Sequence, residues 1–154
     1  MIGNDIVDLL LAKKESNWQR ARYLDKLFSP EEQLMILETQ TNPDFMVWLL
    51  WSMKEAAYKI ISRRTGLHAF IPTKLLCEQI SLREGTAQGK VRFSESLYFT
   101  KSTLNADYVH TIAAESTAAL EKTKAEISVF QQQYQRNILQ SVSHHGRYLA
   151  LAYS

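Results

Sequence analysis

At 154 residues the chain is long enough for one domain with a genuine core and too short for two full ones. A hydrophobic content of 45% and a charged content of 22% are those of a soluble globular protein, and a formal charge of +2 argues against a dedicated nucleic-acid binder. One cysteine, Cys77, excludes an intrachain disulfide and a cysteine-based metal framework, and it fits a reducing cytoplasm. The opening Met1-Ile2-Gly3-Asn4-Asp5 lacks the basic start and apolar core of a signal peptide. The longest unbroken apolar run, Phe45 to Trp51, falls far short of the ~20 residues that span a bilayer. A soluble, cytoplasmic chain with neither a membrane nor a nucleic-acid partner is expected.

In chain order, Ile2, Ile6 and Val7 favour a short strand, and Asp8 is placed to cap a following helical turn. Asp5 then sits in or beside an apolar strand, where a carboxylate needs a partner unless it serves as a turn or cap acid. Lys13 to Lys26 carries Lys13, Lys14, Arg20, Arg22 and Lys26 against only Glu15 and Asp25, and is predicted to be helical. Such a patch is either a solvated face or a docking surface for an acidic partner. Ser29-Pro30-Glu31-Glu32 opens the next helix, with Ser29 as cap, proline in the first position and Glu32 completing a capping box. That helix is predicted to run to about Thr39.

Asn42-Pro43-Asp44 signals another start, and no glycine or proline follows until Gly66, so one long helix is predicted from Pro43 to Arg64. At about 100° per residue, Glu55 shares a face with Trp48, Trp51, Ser52, Lys59 and Ser62. A carboxylate among tryptophans is expensive to desolvate without a cationic partner. Lys59, one turn on, contributes only a few tenths of a kcal/mol as an exposed pair. A metal ion or ligand satisfies the charge better, although an ordinary buried helix with a Glu55–Lys59 pair at its rim accounts for the same spacing.

Further along, Lys74 to Leu82 is predicted as a strand and Gly85 to Gly89 as a turn. Val91–Phe93, Leu97–Lys101 and Tyr108–Ala114 follow as strands of an antiparallel meander. Ser116 or Thr117 is read as the cap of a polar helix to roughly Gln140, with Ile127, Phe130, Tyr134 and Ile138 as its apolar stripe. Ser141 to Arg147 reads as a polar turn before a last strand, Tyr148–Tyr153. The sum is an α+β fold: an antiparallel sheet packed against a long central helix.

Three polar clusters stand out: Asp5, Lys54/Glu55/Lys59, and Ser143/His144/Arg147. Two carboxylates with nearby cationic donors suit Mg²⁺ holding phosphates, because that ion takes one or two protein carboxylates and leaves its other positions to water and phosphate oxygens. No glycine-rich phosphate loop or dinucleotide motif is present.

Gly3-Asn4-Asp5-Ile6-Val7-Asp8, Trp51-Ser52-Met53-Lys54-Glu55-Ala56-Ala57-Tyr58-Lys59 and Val142-Ser143-His144-His145-Gly146-Arg147-Tyr148 resemble, in that order, three signature motifs of the 4′-phosphopantetheinyl transferase superfamily. Phe28-Ser29-Pro30-Glu31-Glu32 is similar to a further stretch of that family. The order, with the Ser-His motif last, is that of the holo-acyl-carrier-protein synthase branch. The resemblance implies that fold and transfer of the 4′-phosphopantetheine arm of coenzyme A to a serine of an apo acyl or peptidyl carrier protein. It further implies Mg²⁺ as cofactor and adenosine 3′,5′-bisphosphate as the released product.

By the same resemblance Asp5 and Glu55 ligate Mg²⁺, Lys59 contacts the phosphates and Lys54 flanks the site. His144, with Ser143 and Arg147, binds the nucleotide phosphates from a neighbouring subunit of a homotrimer. The basic segment Lys13, Lys14, Arg20, Arg22 and Lys26 docks the carrier. Glu55 is the first choice for general base and His144 the second. The larger members carry a second acid where this chain has Val7, and Asp8 is read as a cap. Residues from about 86 to 140 match no motif and read partly as an insertion; His110 reads as a strand or edge histidine and His145 as a bystander. The alternative is a non-catalytic module of the same fold that binds coenzyme A or a carrier; a purely structural helical protein is a further one.

Overall fold

The computed structural model describes residues 1–129 and 140–154. Strand β1 (Ile2–Asp8) leads into helix α1 (Leu9–Glu15), whose first amides, of Leu10 and Leu11, donate to the Asp8 side chain as expected of a cap. The basic segment is not the single helix predicted. After α1 the backbone turns extended at Ser16, Asn17 Oδ1 accepts from the Gln19 amide, and Arg22 adopts a left-handed conformation before a short α2 (Tyr23–Leu27). An Asn side chain that bonds its own backbone two residues on competes with the helix. The Trp18 indole is also tied to Asp44 on a distant helix, at 2.6 Å.

Helix α3 (Pro30–Glu38) carries the predicted capping box between Ser29 and Glu32. Helix α4 (Pro43–Thr65) begins on an Asn42 cap and ends on a left-handed Gly66, within a residue of the predicted bounds. Its Val47, Leu49, Leu50, Met53, Ala56, Ala57, Ile60 and Ile61 are buried, and they form the main core with Phe28, Ile36, Leu75, Val91 and Val109. Fully burying each larger aliphatic side chain contributes roughly 1.5–3 kcal/mol.

A 3-10 turn (Pro72–Lys74) precedes β2 (Leu75–Arg83), β3 (Thr86–Phe93), β4 (Ser96–Leu104) and β5 (Tyr108–Ala114). The predicted Gly85–Gly89 turn is confined to the tip at Gly85. Gly89 lies within β3, where a Cβ would come 2.8 Å from the Met53 methyl. The five strands form an antiparallel sheet in the order β1-β5-β4-β3-β2, and α4 packs on it mainly against β1 and β5.

The polar helix predicted from residue 116 ends early. Helix α5 (Thr117–Lys122), capped by Ser116, closes where the Thr123 hydroxyl donates to the Ala119 carbonyl. The chain then extends as β6 (Lys124–Ser128), so Ile127 belongs to a strand. The remaining stripe positions 130, 134 and 138 and the glutamine run 131–135 lie outside the described residues. Ser141 to His145 is likewise a strand, β7 (Ser141–His145), and only Gly146-Arg147 turn into β8 (Tyr148–Tyr153). β6, β8 and β7 form a second antiparallel sheet in the order β6-β8-β7. It lies over the face of β1 and β5 turned away from α4, burying Ile2, Ile112, Ala114 and Leu120 with Ala152, and Ile6 with Tyr148 and Ala150.

Candidate active site

Side chains alternate across β1, so Gly3, Asp5 and Val7 face α4 while Ile2, Asn4 and Ile6 face the small sheet. At Gly3 a Cβ would fall 2.1 Å from the Ala56 carbonyl oxygen, so only glycine lets the strand lie this close to the helix. Two residues on, Asp5 is thereby brought to the Glu55–Lys59 face of α4. These three side chains line one cleft of about 510 Å³, together with Trp48, Trp51, Ser143 and His144.

The environment of the two acids is poorly compensated. Asp5 Oδ1 accepts from the Ser143 hydroxyl at 3.2 Å and lies 4.0 Å from Lys59 Nζ, whereas Asp5 Oδ2 is buried with no hydrogen-bond partner among the described residues. Burial raises the Asp5 carboxyl to about 6 despite the opposing pull of Lys59. Burial, and then the charge of Asp5, raise Glu55 to about 7. Two carboxyls raised by burial in one cleft are the kind of perturbed pair found at functional sites.

Lys59 Nζ donates to the Asn4 carbonyl at 2.6 Å and the Val142 carbonyl at 3.2 Å. Its pKa is lowered by burial, with Asp5 and Glu55 pulling it back up. Two of its three N–H groups are thus committed to backbone and one is left facing the cleft.

Lys54 is placed elsewhere. It lies 100° around the helix from Glu55, fully buried, and donates to Glu32 Oε1 at 2.8 Å, the Leu27 carbonyl at 2.7 Å and the Pro72 carbonyl at 2.9 Å. All three donors are used, so Lys54 does not flank the site as expected. It ties α4 to α2, α3 and the 3-10 turn. Glu32 completes this cluster by accepting the Cys77 amide at 3.1 Å.

Arg147 also stands outside the cleft. Its guanidinium makes two bonds to Asp8, at 2.9 and 3.0 Å, and its amide makes a third. These bonds hold the Asp8 carboxyl well below the usual carboxylate range. Ser143 and His144 line the cleft together with Asp5 and Glu55 of the same chain. The reason is that β7 runs alongside β1: the Ser143 hydroxyl accepts the Ile6 amide at 3.1 Å while donating to Asp5.

Lys13, Lys14, Arg20, Arg22 and Lys26 are all exposed, and their segment borders the cleft, which Ala12, Glu15, Ser16 and Tyr23 help to line. Val7 also lines the cleft, and among the described residues no group of three or more histidine, cysteine or acidic side chains is placed to hold a metal.

His145, read from sequence as a bystander, lines the cleft: Nδ1 accepts the Asp8 amide at 2.9 Å, and Nε2 lies 3.6 Å from Glu15. The signal for it was the two-residue spacing of Ser141, Ser143 and His145, a strand period in a stretch whose polarity reads as a turn.

A family model described as the 4′-phosphopantetheinyl transferase superfamily matches residues 1–113. The chain belongs to this superfamily. Its members are transferases that move phosphopantetheine, and the mixed helix and antiparallel-sheet architecture agrees with their fold. The match takes in Asp5, Glu55 and Lys59 but stops before the Ser143-His144 segment. No curated protein matches the chain. Among the described residues no helix is long and apolar enough to cross a membrane.

Proposed function

We propose that the protein is a holo-acyl-carrier-protein synthase-type enzyme. It would transfer the 4′-phosphopantetheine arm of coenzyme A to a serine of an apo acyl or peptidyl carrier protein and release adenosine 3′,5′-bisphosphate. The observation that carries this reading is the pair Asp5 and Glu55 in one cleft, both held back from ionisation chiefly by burial and Glu55 further by the charge of Asp5, with Asp5 Oδ2 buried and without a hydrogen-bond partner among the described residues. This donor set fits a hard divalent cation with oxygen ligands, and Asp5 and Glu55 would hold Mg²⁺, which takes few carboxylates. When bound, the ion would draw charge from the pyrophosphate of coenzyme A.

The rest falls to side chains of this chain. The serine oxygen forms a bond to the phosphorus that carries the pantetheine arm, and the bond from that phosphorus to the bisphosphate leaving group breaks. The uncommitted N–H of Lys59 meets the developing negative charge from a fixed position, since its other two are anchored on Asn4 and Val142. Glu55 is the first candidate to take the serine proton, and His144 is the second. His144 would also contact the nucleotide phosphates, with Ser143 holding Asp5 in orientation. Lys54 and Arg147 support the site from outside it.

The exposed Lys13, Lys14, Arg20, Arg22 and Lys26 would attract an acidic carrier and deliver its serine to the adjoining cleft. The reading includes a homotrimer in the cytoplasm in which each chain completes its own site. Purified protein with coenzyme A, Mg²⁺ and a panel of apo carriers from fatty-acid, polyketide and peptide synthesis should raise the mass of one carrier by the phosphopantetheine group. No mass change on any carrier would overturn the reading.

A further inference from the structure

β1 has two edges. One is paired with β5 through backbone hydrogen bonds; the other faces β7, which belongs to the second sheet. Along that second edge the amides of Asn4, Ile6 and Asp8 donate to Ser141 Oγ at 2.8 Å, Ser143 Oγ at 3.1 Å and His145 Nδ1 at 2.9 Å. Side chains thus replace the missing backbone ladder, rung by rung at the two-residue period of both strands.

The carbonyls of the same edge are met from α4. Lys59 bridges the carbonyls of Asn4 on β1 and Val142 on β7. One turn further on, Arg63 repeats the arrangement: its NH2 group donates to the Ile2 carbonyl and its NH1 group to the Gln140 carbonyl, the latter at 2.6 Å. Its Nε is anchored on the Lys59 carbonyl of its own helix at 2.9 Å. Two cations four residues apart on one helix therefore each clasp a carbonyl from β1 and one from the β7 side. Arg63 does not line the cleft, and all three of its nitrogens are spent on backbone oxygens.

We propose that Arg63 is a positioning residue: by fastening the β7 side of the seam to β1 it holds His144 in register with Asp5, so that the phosphate-contacting edge and the acid edge of the cleft keep one spacing. The consequence for coenzyme A rests on the transfer reading given above; the seam itself does not. Because the misplaced element would contact the bound nucleotide, the loss falls on substrate affinity more than on turnover.

The test compares Arg63→Ala, Arg63→Lys and, as a control, Arg64→Ala, whose guanidinium pairs with Glu115 on the surface. Hydrogen exchange is followed at the amides of Asn4, Ile6 and Asp8, with Gly3, Asp5 and Val7 on the β5 edge as internal reference. Arg63→Ala should exchange about tenfold faster at the first three amides only, and should raise the KM for coenzyme A about tenfold, the scale of one lost hydrogen bond from a charged group. Its kcat should change less than about threefold, Arg63→Lys should recover much of both effects, and Arg64→Ala should behave as wild type. Unchanged exchange at Asn4, Ile6 and Asp8 overturns the seam. An unchanged KM, with only a lower Tm, overturns the positioning role. If the wild-type chain transfers nothing, the transfer reading fails, and the exchange measurement still decides the seam.

Discussion

Helix α4 carries two lysine–acid clusters on different sides, and they differ in completeness. Around Lys54 every charged atom is met: three acceptors for the ammonium, with Glu32 also bonded to the amides of Ser29 and Cys77. Around Lys59 the balance is left open: the Asp5 carboxylate stands 4.0 Å from the ammonium, one Asp5 oxygen has no hydrogen-bond partner among the described residues, and two acids are pushed towards neutrality. The first arrangement is what a folded interior requires of a buried charge. The second is costly as pure structure and agrees with the proposed binding of a cation and an anionic substrate. Residue type does not separate the two, since both are a lysine with glutamate; satisfaction of the hydrogen-bonding capacity does.

The largest expected contrast comes from removing one charge from each cluster. Glu55→Gln should lower transfer by roughly 10²–10³-fold or more, the scale on which a lost electrostatic contact to a transition state acts, with a Tm at or above that of wild type. Lys54→Met should do the reverse. Leaving Glu32 buried and unpaired should cost about 3–5 kcal/mol in urea denaturation, and the protein that remains folded should transfer at a near-normal rate. A stability loss in Glu55→Gln as large as that in Lys54→Met would erase the distinction.

A smaller effect concerns pH in the metal-free protein. Asp5 has a folded pKa of about 6, above its unfolded value, so the native state holds a proton that the unfolded chain has released. The stability associated with that proton is fully present below about pH 4 and is lost as pH rises through 6. Relative to Asp5→Asn, the wild type should lose on the order of 3 kcal/mol between pH 4 and pH 7 in EDTA. Parallel pH curves for the two proteins would contradict the burial assigned to Asp5. The smallest effect expected is none: mixing Glu55→Gln with His144→Ala chains should restore no activity, because Asp5, Glu55 and His144 meet within one chain. Recovery on mixing would show that the segment carrying His144 is exchanged between subunits.

Much of this arrangement is legible in the chain itself. Asn42-Pro43 and Gly66 bracket α4, Ser29 and Glu32 announce their capping box, Asp8 its cap, and helical spacing puts Glu55 with Lys59 and the tryptophans. What resists reading is non-local. Lys54 adjoins Glu55 in sequence yet points to a partner 22 residues away. Ser141, Ser143 and His145 lie on a strand paired with β8, and their side chains accept the amides at the free edge of β1, a role that nothing in their own polarity reveals. Arg63 sits four positions from Lys59, a visible spacing, but its targets are carbonyl oxygens, which carry no residue identity. The predicted helix beyond Ser116 failed for a related reason: β8 offers Lys124–Ser128 a strand to pair with, and that tertiary gain outweighs local helical preference.

The absence of a methyl group at position 3 has a reach beyond its own contact. Because Gly3 rests directly on the backbone of Ala56, the residue beside Glu55, it sets how near the strand carries Asp5 to the helix. The calibre of the proposed cation site would therefore be gauged by a residue that has no side chain and would never meet the ion.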